Sequence, residues 1–150
     1  MKDYELICKQ IKALAEESRE ATPLMANAAA LLYHAMPDIN WAGFYTVKDG
    51  ELILGPFQGN VACVRISKGR GVCGTAWEKD STVLVPDVHA FPGHIACDAA
   101  SRSEIVIPIH RGGEVIAVLD IDSPSLNRFS QEDQDGLELF VRTLEEIGSM

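Results

Sequence analysis

Between Tyr4 and about Ser18, Leu6, Ile7, Ile11, Leu14 and Ala15 recur at helical spacing and form one apolar stripe among charged residues. Thr22 can cap a second helix, with Pro23 at its first position, running to about Met36, just ahead of Pro37. The period then changes. Trp41 to Val47 is rich in aromatic and β-branched residues and predicts a strand. Lys48-Asp49-Gly50 is a turn, and Glu51 to Gly55 returns as the hairpin partner. Val61 to Ile66 predicts another short strand, Gly69-Arg70-Gly71 opens a brief helix through Trp77, and Thr82 to Val85 predicts a further strand. Asp87 to Ser103 contains proline, glycine and two histidines but no period, so it reads as a long loop, and long loops in compact domains are often functional. Strands follow at Glu104 to Ile109 and Val115 to Asp122, on either side of an Arg111-Gly112-Gly113 turn. Ser130 caps a final helix to about Glu146, with Leu137, Phe140, Val141 and Leu144 on its inner face and Gly136 as a weak point. The order predicts an α+β fold: a mostly antiparallel sheet of about six strands, with the N-terminal and C-terminal helices packed on one side. No repeat, linker or low-complexity segment divides residues 1–150, which are expected to form one domain.

The composition agrees with this picture. Hydrophobic residues are 47% and charged residues 23% of the 150, and a domain of this size buries about 68–70% of the surface its unfolded chain exposes. It needs no disulfide or metal merely to fold. The apolar run from Ala26 to Leu32 is far short of the roughly 20 residues that span a bilayer. The N-terminus, MKDYELICKQ, has charges where a signal peptide needs an apolar core. A cytoplasmic protein with no membrane partner is expected. The net charge of −9 repels phosphate backbones, so nucleic acid is not an expected partner. An acidic surface fits a substrate with a positive group, although most such surfaces recognise nothing in particular.

Four cysteines in a chain expected to be cytoplasmic point to catalysis, redox chemistry or metal binding rather than a structural disulfide set. No Cys-x-x-Cys is present, so neither a zinc ribbon nor a thioredoxin-type motif is indicated. Cys8 lies on the apolar side of the first helix and reads as core. Cys63 falls in a predicted strand among Val61, Ala62 and Val64, where burial as a small hydrophobe is credible. Cys73 follows two glycines at a helix N-terminus, a position that favours thiolate. Cys97 stands in the long loop, in Gly93-His94-Ile95-Ala96-Cys97-Asp98, where His94 and Arg102 could favour its thiolate by folding back. Two thiols able to approach one another could form a reversible disulfide once one is oxidised.

Acidic residues form a second group. Alternation along Val115 to Asp122 points Asp120 and Asp122 to one face, and Glu104 opens the adjacent strand. Three crowded carboxylates repel and need a shared proton or a cation, which could be the α-ammonium of an amino acid or a metal such as Mg²⁺ or Ca²⁺. Single strand-end aspartates simply facing water are common. Trp41 and Tyr45 share a face and could wall a small apolar pocket, although core packing also accounts for them. The chain has no nucleophile elbow, Walker loop, dinucleotide fingerprint or zinc-deaminase signature. His89, His94 and Cys97 match no familiar metal spacing, so no metal is expected.

Gly59-Asn60-Val61-Ala62-Cys63, Gly69-Arg70-Gly71-Val72-Cys73-Gly74 and His94-Ile95-Ala96-Cys97-Asp98, followed by Ser103-Glu104-Ile105-Val106-Ile107-Pro108 and Leu119-Asp120-Ile121-Asp122-Ser123, resemble the free methionine-(R)-sulfoxide reductases. The resemblance covers the chain in order from Trp41 to Ser123 and implies a GAF fold. It implies that Cys97 attacks the sulfoxide sulfur, releases methionine and becomes a sulfenic acid. Cys63 or Cys73 would resolve it as a disulfide. No bound cofactor is implied; thioredoxin, recharged by NADPH through its own reductase, would be the external reductant. Glu104, Asp120 and Asp122 match the substrate-binding carboxylates, and Trp41 and Tyr45 the pocket aromatics. A homodimer is expected because GAF domains often pair through their terminal helices. The alternative is a non-catalytic GAF-type small-molecule or redox sensor, since fold alone does not fix function.

Overall fold

The computed structural model describes residues 3–94, 97 and 99–150. The sheet is built on two tight hairpins. β1 (Trp41–Lys48) turns into β2 (Glu51–Gly59) through Asp49 and Gly50, at φ 52° and 79°. β5 (Ser103–Arg111) turns into β6 (Glu114–Ser123) through Gly112 and Gly113, at φ 61° and 82°. Positive φ at both central residues matches the right-handed strand twist, which is why Asp-Gly and Gly-Gly stand there. β1 also pairs with β6, and β3 (Arg65–Ser67) and β4 (Val83–Val85) close the edges. The strand order is β3-β2-β1-β6-β5-β4, antiparallel at every pairing.

The terminal helices lie on one face, as the periodicity predicts. α1 (Tyr4–Leu14), α2 (Ala21–Ala35) and α4 (Gln131–Ile147) pack on Phe44, Ile105, Ile107, Leu119 and Ile121. α3 (Gly71–Lys79) takes the opposite face, where Val72, Cys73 and Ala76 meet Tyr45, Leu52, Val106 and Val118. The sheet is thus covered on both sides, and its buried strands carry apolar residues at nearly every position. Among the described residues no helix is long and apolar enough to cross a membrane.

Several boundaries differ from expectation. α1 ends at Leu14 rather than near Ser18, where tighter turn bonds from Glu16 to Ala13 and Glu17 to Leu14 replace the helical ladder. α2 begins at Ala21, so Glu20 and not Thr22 is its cap. Pro23 still falls in the first turn, where a missing N–H leaves no helical bond unmade. The strand expected from Val61 to Ile66 is confined to Arg65–Ser67, and β2 runs on to Gly59. Residues 60–64 leave the sheet instead, held by Trp41 Nε1 donating to the Asn60 carbonyl at 3.1 Å and the Tyr45 hydroxyl donating to the Cys63 carbonyl at 2.8 Å. The long loop contains a short 3₁₀ turn, Val88–Ala90. At α4, Ser130 and Asp133 form a reciprocal capping box. Asp133 also receives the Tyr4 hydroxyl at 2.7 Å, and the Tyr4 ring occupies the space a side chain at Gly136 would fill. Gly136 is therefore a packing site for α1 against α4.

Candidate functional site

Strand register assembles the acidic group. Trp41 pairs with Asp122, and Asp122 with Glu104, giving one row across β1, β6 and β5. Two residues along β6, Asp120 sits between Gly43 and Val106 on the same face. Gly43 leaves the room that its neighbours need: a Cβ there would stand 2.7 Å from the Trp41 ring. Trp41 stacks on Phe57 with centroids 5.2 Å apart, and on Tyr45 at 6.0 Å. The first turn of α3 then brings Cys73 onto this face. Ligand atoms of Cys73, Glu104 and Asp120 lie within 4.8 Å of one another.

Burial sets the protonation here. Glu104 is 7% exposed and Asp120 6%. Burial, and then the charges of Asp120 and Asp122, push the Glu104 carboxyl well above its ordinary range. Asp120 is also raised by burial, with opposition from hydrogen bonds involving Glu104, Cys73 and Asp122. For both Glu104 and Asp120, burial thus favours the neutral, proton-carrying form. Asp120 Oδ1 is buried with no hydrogen-bond partner among the described residues. The Cys73 thiol is pushed well up by burial and then by the Asp120 and Glu104 charges. The thiolate-favouring effect expected from its helix N-terminus is outweighed, because that partial charge is smaller than the cost of a buried anion beside carboxylates.

Trp41, Tyr45, Glu104, Asp120, Asp122 and Cys97 line one cavity, joined by Cys73 and His94. Trp41 and Tyr45, at 3% and 2% exposure, are both core residues and cavity wall, so the two readings of these aromatics coincide. A disulfide joins Cys63 to Cys97, with Cα atoms 5.6 Å apart across 34 residues of sequence. Cys63 is off the cavity lining, and Cys8 and Cys73 are free and buried. In the His94 to Asp98 motif, Ile95, Ala96 and Asp98 lie outside the described residues. Burial, and then His89, hold the His94 pKa below its usual value. Arg102 is exposed and off the cavity lining. Ser101 is a site residue that the sequence reading missed. It lines the cavity, is 6% exposed and accepts from Asn40 Nδ2 at 3.1 Å. A single serine in an aperiodic loop gave no signal.

Comparison with known proteins adds three relatives and a family. The GAF domain model matches residues 20–147. Protein YtsP of Bacillus subtilis (strain 168) is 57% identical over 146 residues, covering 96% of this chain and 90% of that protein. The free methionine-R-sulfoxide reductase of Escherichia coli (strain K12) is 56% identical over 123 residues, covering 82% and 74%. The solved free methionine-R-sulfoxide reductase of Neisseria meningitidis, in complex with its substrate, superposes with a TM-score of 0.92 at 44% identity, covering 96% of this chain and 87% of that one.

Proposed function

The chain belongs to the free methionine-R-sulfoxide reductase family of GAF-fold proteins, and from that premise we propose that it reduces free L-methionine-(R)-sulfoxide, with Cys97 as nucleophile and Cys63 as its partner thiol. The observation that carries this reading is the Cys63–Cys97 disulfide at the edge of a cavity walled by aromatics and floored by three carboxylates. The Cys97 thiolate attacks the sulfoxide sulfur. Glu104, whose carboxyl burial pushes toward the protonated form, gives its proton to the sulfoxide oxygen. The hydroxyl then passes from the substrate sulfur to the Cys97 sulfur as the bond between the two sulfurs breaks, so that methionine leaves and Cys97 holds the oxygen as a sulfenic acid. The Cys63 thiol then displaces that oxygen as water, leaving the disulfide. Asp120 and Asp122 hold the substrate ammonium. In a polypeptide the corresponding nitrogen is an uncharged amide, so the carboxylates favour the free amino acid. Trp41 and Tyr45 enclose the methyl group.

Thioredoxin is the proposed external reductant, supplied with electrons by NADPH in the cytoplasm. Its first thiol attacks Cys63, which frees Cys97 as a thiolate facing the next substrate. Its second thiol then releases Cys63. The position of Cys63 supports this route: it lies off the cavity and is flanked by Val61 and Val64, 87% and 60% exposed. Residues 1–150 act as one domain, paired with a second copy through α1 and α2, where Leu6 and Leu14 stand 49% and 42% exposed.

NADPH oxidation with thioredoxin and its reductase tests the reading. Turnover is expected with the free R epimer only. The S epimer and peptide-bound sulfoxide should be inert, and Cys97→Ser should abolish activity. Folded, reduced protein that turned over no sulfoxide would overturn the reductase and leave a ligand-sensing module.

A further inference from the structure

We propose that residues 61–68, the extended segment around Cys63 together with edge strand β3, are the docking surface of the protein dithiol that reopens the Cys63–Cys97 disulfide, and that this partner meets it with an apolar face rimmed by negative charge. Residues 60–64 have left the sheet, and Trp41 and Tyr45 hold them from within through the carbonyls of Asn60 and Cys63. Beside these anchors stand Val61 and Val64, 87% and 60% exposed, on either side of Cys63 in the chain. A single exposed valine is ordinary. These two flank a bond that a second protein has to reach, and covering them removes apolar surface from water at the point of reaction. β3 follows at once. It is the outermost strand and pairs only with β2, so no further strand covers its outer edge.

Charge marks the same surface independently. Residues 61–70 carry Arg65, Lys68 and Arg70 and no acidic residue, in a chain whose net charge is −9. Arg65 shares its charge with Glu51 at 3.4 Å, and Lys68 lies over the Trp77 ring, 5.0 Å from its centroid. A basic stretch beside the disulfide of an acidic protein attracts a negatively charged partner to the place where thiol exchange occurs, while the acidic remainder repels it elsewhere. The exchange itself balances. The partner's first thiolate bonds to the Cys63 sulfur, the Cys63–Cys97 bond breaks and Cys97 leaves as a thiolate. The partner's second thiolate then bonds to its first sulfur. Cys63 leaves as a thiolate and takes a proton, and the partner, having given up an electron pair, becomes a disulfide.

The surface stands on exposure and charge around the disulfide; that sulfoxide reduction is what closes the disulfide rests on the proposed function. Reduction of the Cys63–Cys97 disulfide, followed with no sulfoxide present, therefore tests the surface by itself. Reduced thioredoxin serves as the protein dithiol, and dithiothreitol, too small to need a docking surface, as the reference. Val64→Ser and Val64→Asp, each checked for folding by circular dichroism, should slow reduction by thioredoxin about fivefold or more, the aspartate variant further than the serine. Their rates with dithiothreitol should match the parent's. Arg65→Glu combined with Lys68→Glu should likewise slow thioredoxin alone. The parent's rate with thioredoxin should fall as salt rises, and that of the charge-reversed variant should not. Equal thioredoxin rates for the parent and all these variants overturn the surface. A loss shared by dithiothreitol overturns it too, because the effect then lies in the disulfide itself. A parent rate that climbs with salt overturns the charged rim, and a parent disulfide that dithiothreitol opens but thioredoxin does not overturns the partner. Sulfoxide turnover driven by dithiothreitol bypasses the surface and so judges the reductase separately.

Discussion

Glu104 concentrates the chemistry of single residues. Burial and two neighbouring acids raise its carboxyl well above the usual range, the direction that favours the protonated form a general acid needs. The sign follows directly: proton donation is available below that raised pKa and is lost as pH rises through it. Glu104→Gln keeps the shape and removes the transferable proton. It should lower the rate of methionine release in a single turnover by about 10²–10⁴ and flatten the alkaline limb of the pH profile. An unchanged rate and profile would assign the proton to another group. Cys73 teaches the opposite lesson. Its helix N-terminus suggested a thiolate, yet its carboxylate neighbours come from strands about 30 and 50 residues away in sequence, and local spacing cannot show them.

At the scale of elements, polar contacts fix how helices meet the sheet. His110, near the end of β5, contacts Asp80 at the C-cap of α3, and its Nδ1 lies 3.1 Å from Glu145 of α4. Burial lowers its pKa, but the hydrogen bonds and charges of Asp80 and Glu145 outweigh this and raise it above 6.5. The stabilisation from charged His110 is complete below its unfolded pKa and disappears as pH rises through the folded value. His110→Gln should therefore lower Tm more at pH 6 than at pH 9; an equal loss at both would deny the charge a role. Gly136 supplies a second case. Alanine normally favours a helix over glycine by about 1 kcal/mol, but here the Tyr4 ring occupies the site. Gly136→Ala should therefore destabilise the protein by about 1–3 kcal/mol in chemical denaturation, and a gain in stability would show that Tyr4 moves aside freely.

The whole molecule is a sheet with two differently used faces. One holds the terminal helices and most of the core, and the other holds α3 and the cavity. The cavity is thus separated from the α1–α2 surface, where an apolar hollow includes Leu14, Ala30 and Leu31. If two copies pair there, Leu14→Glu should shift the protein from dimer to monomer in light-scattering chromatography while sulfoxide turnover per chain persists. A monomeric parent protein would overturn the pairing.

Periodicity and turn residues determined the element order, because helix and strand periods and Asp-Gly or Gly-Gly turns act over a few residues. That was enough to place Asp120 and Asp122 on one face and to set Glu104 on the neighbouring strand. The identities of the cysteines, carboxylates and aromatics carried the family resemblance. Tertiary structure decided what depends on distant segments meeting. It drew residues 60–64 out of the expected strand, held by Trp41 and Tyr45, and paired Cys63 with Cys97. It placed α3 across the sheet from the other helices, so that Cys73 faces Glu104 and Asp120. Burial and charge then set the protonation of all three, and both depend on neighbours contributed by separate strands and a helix.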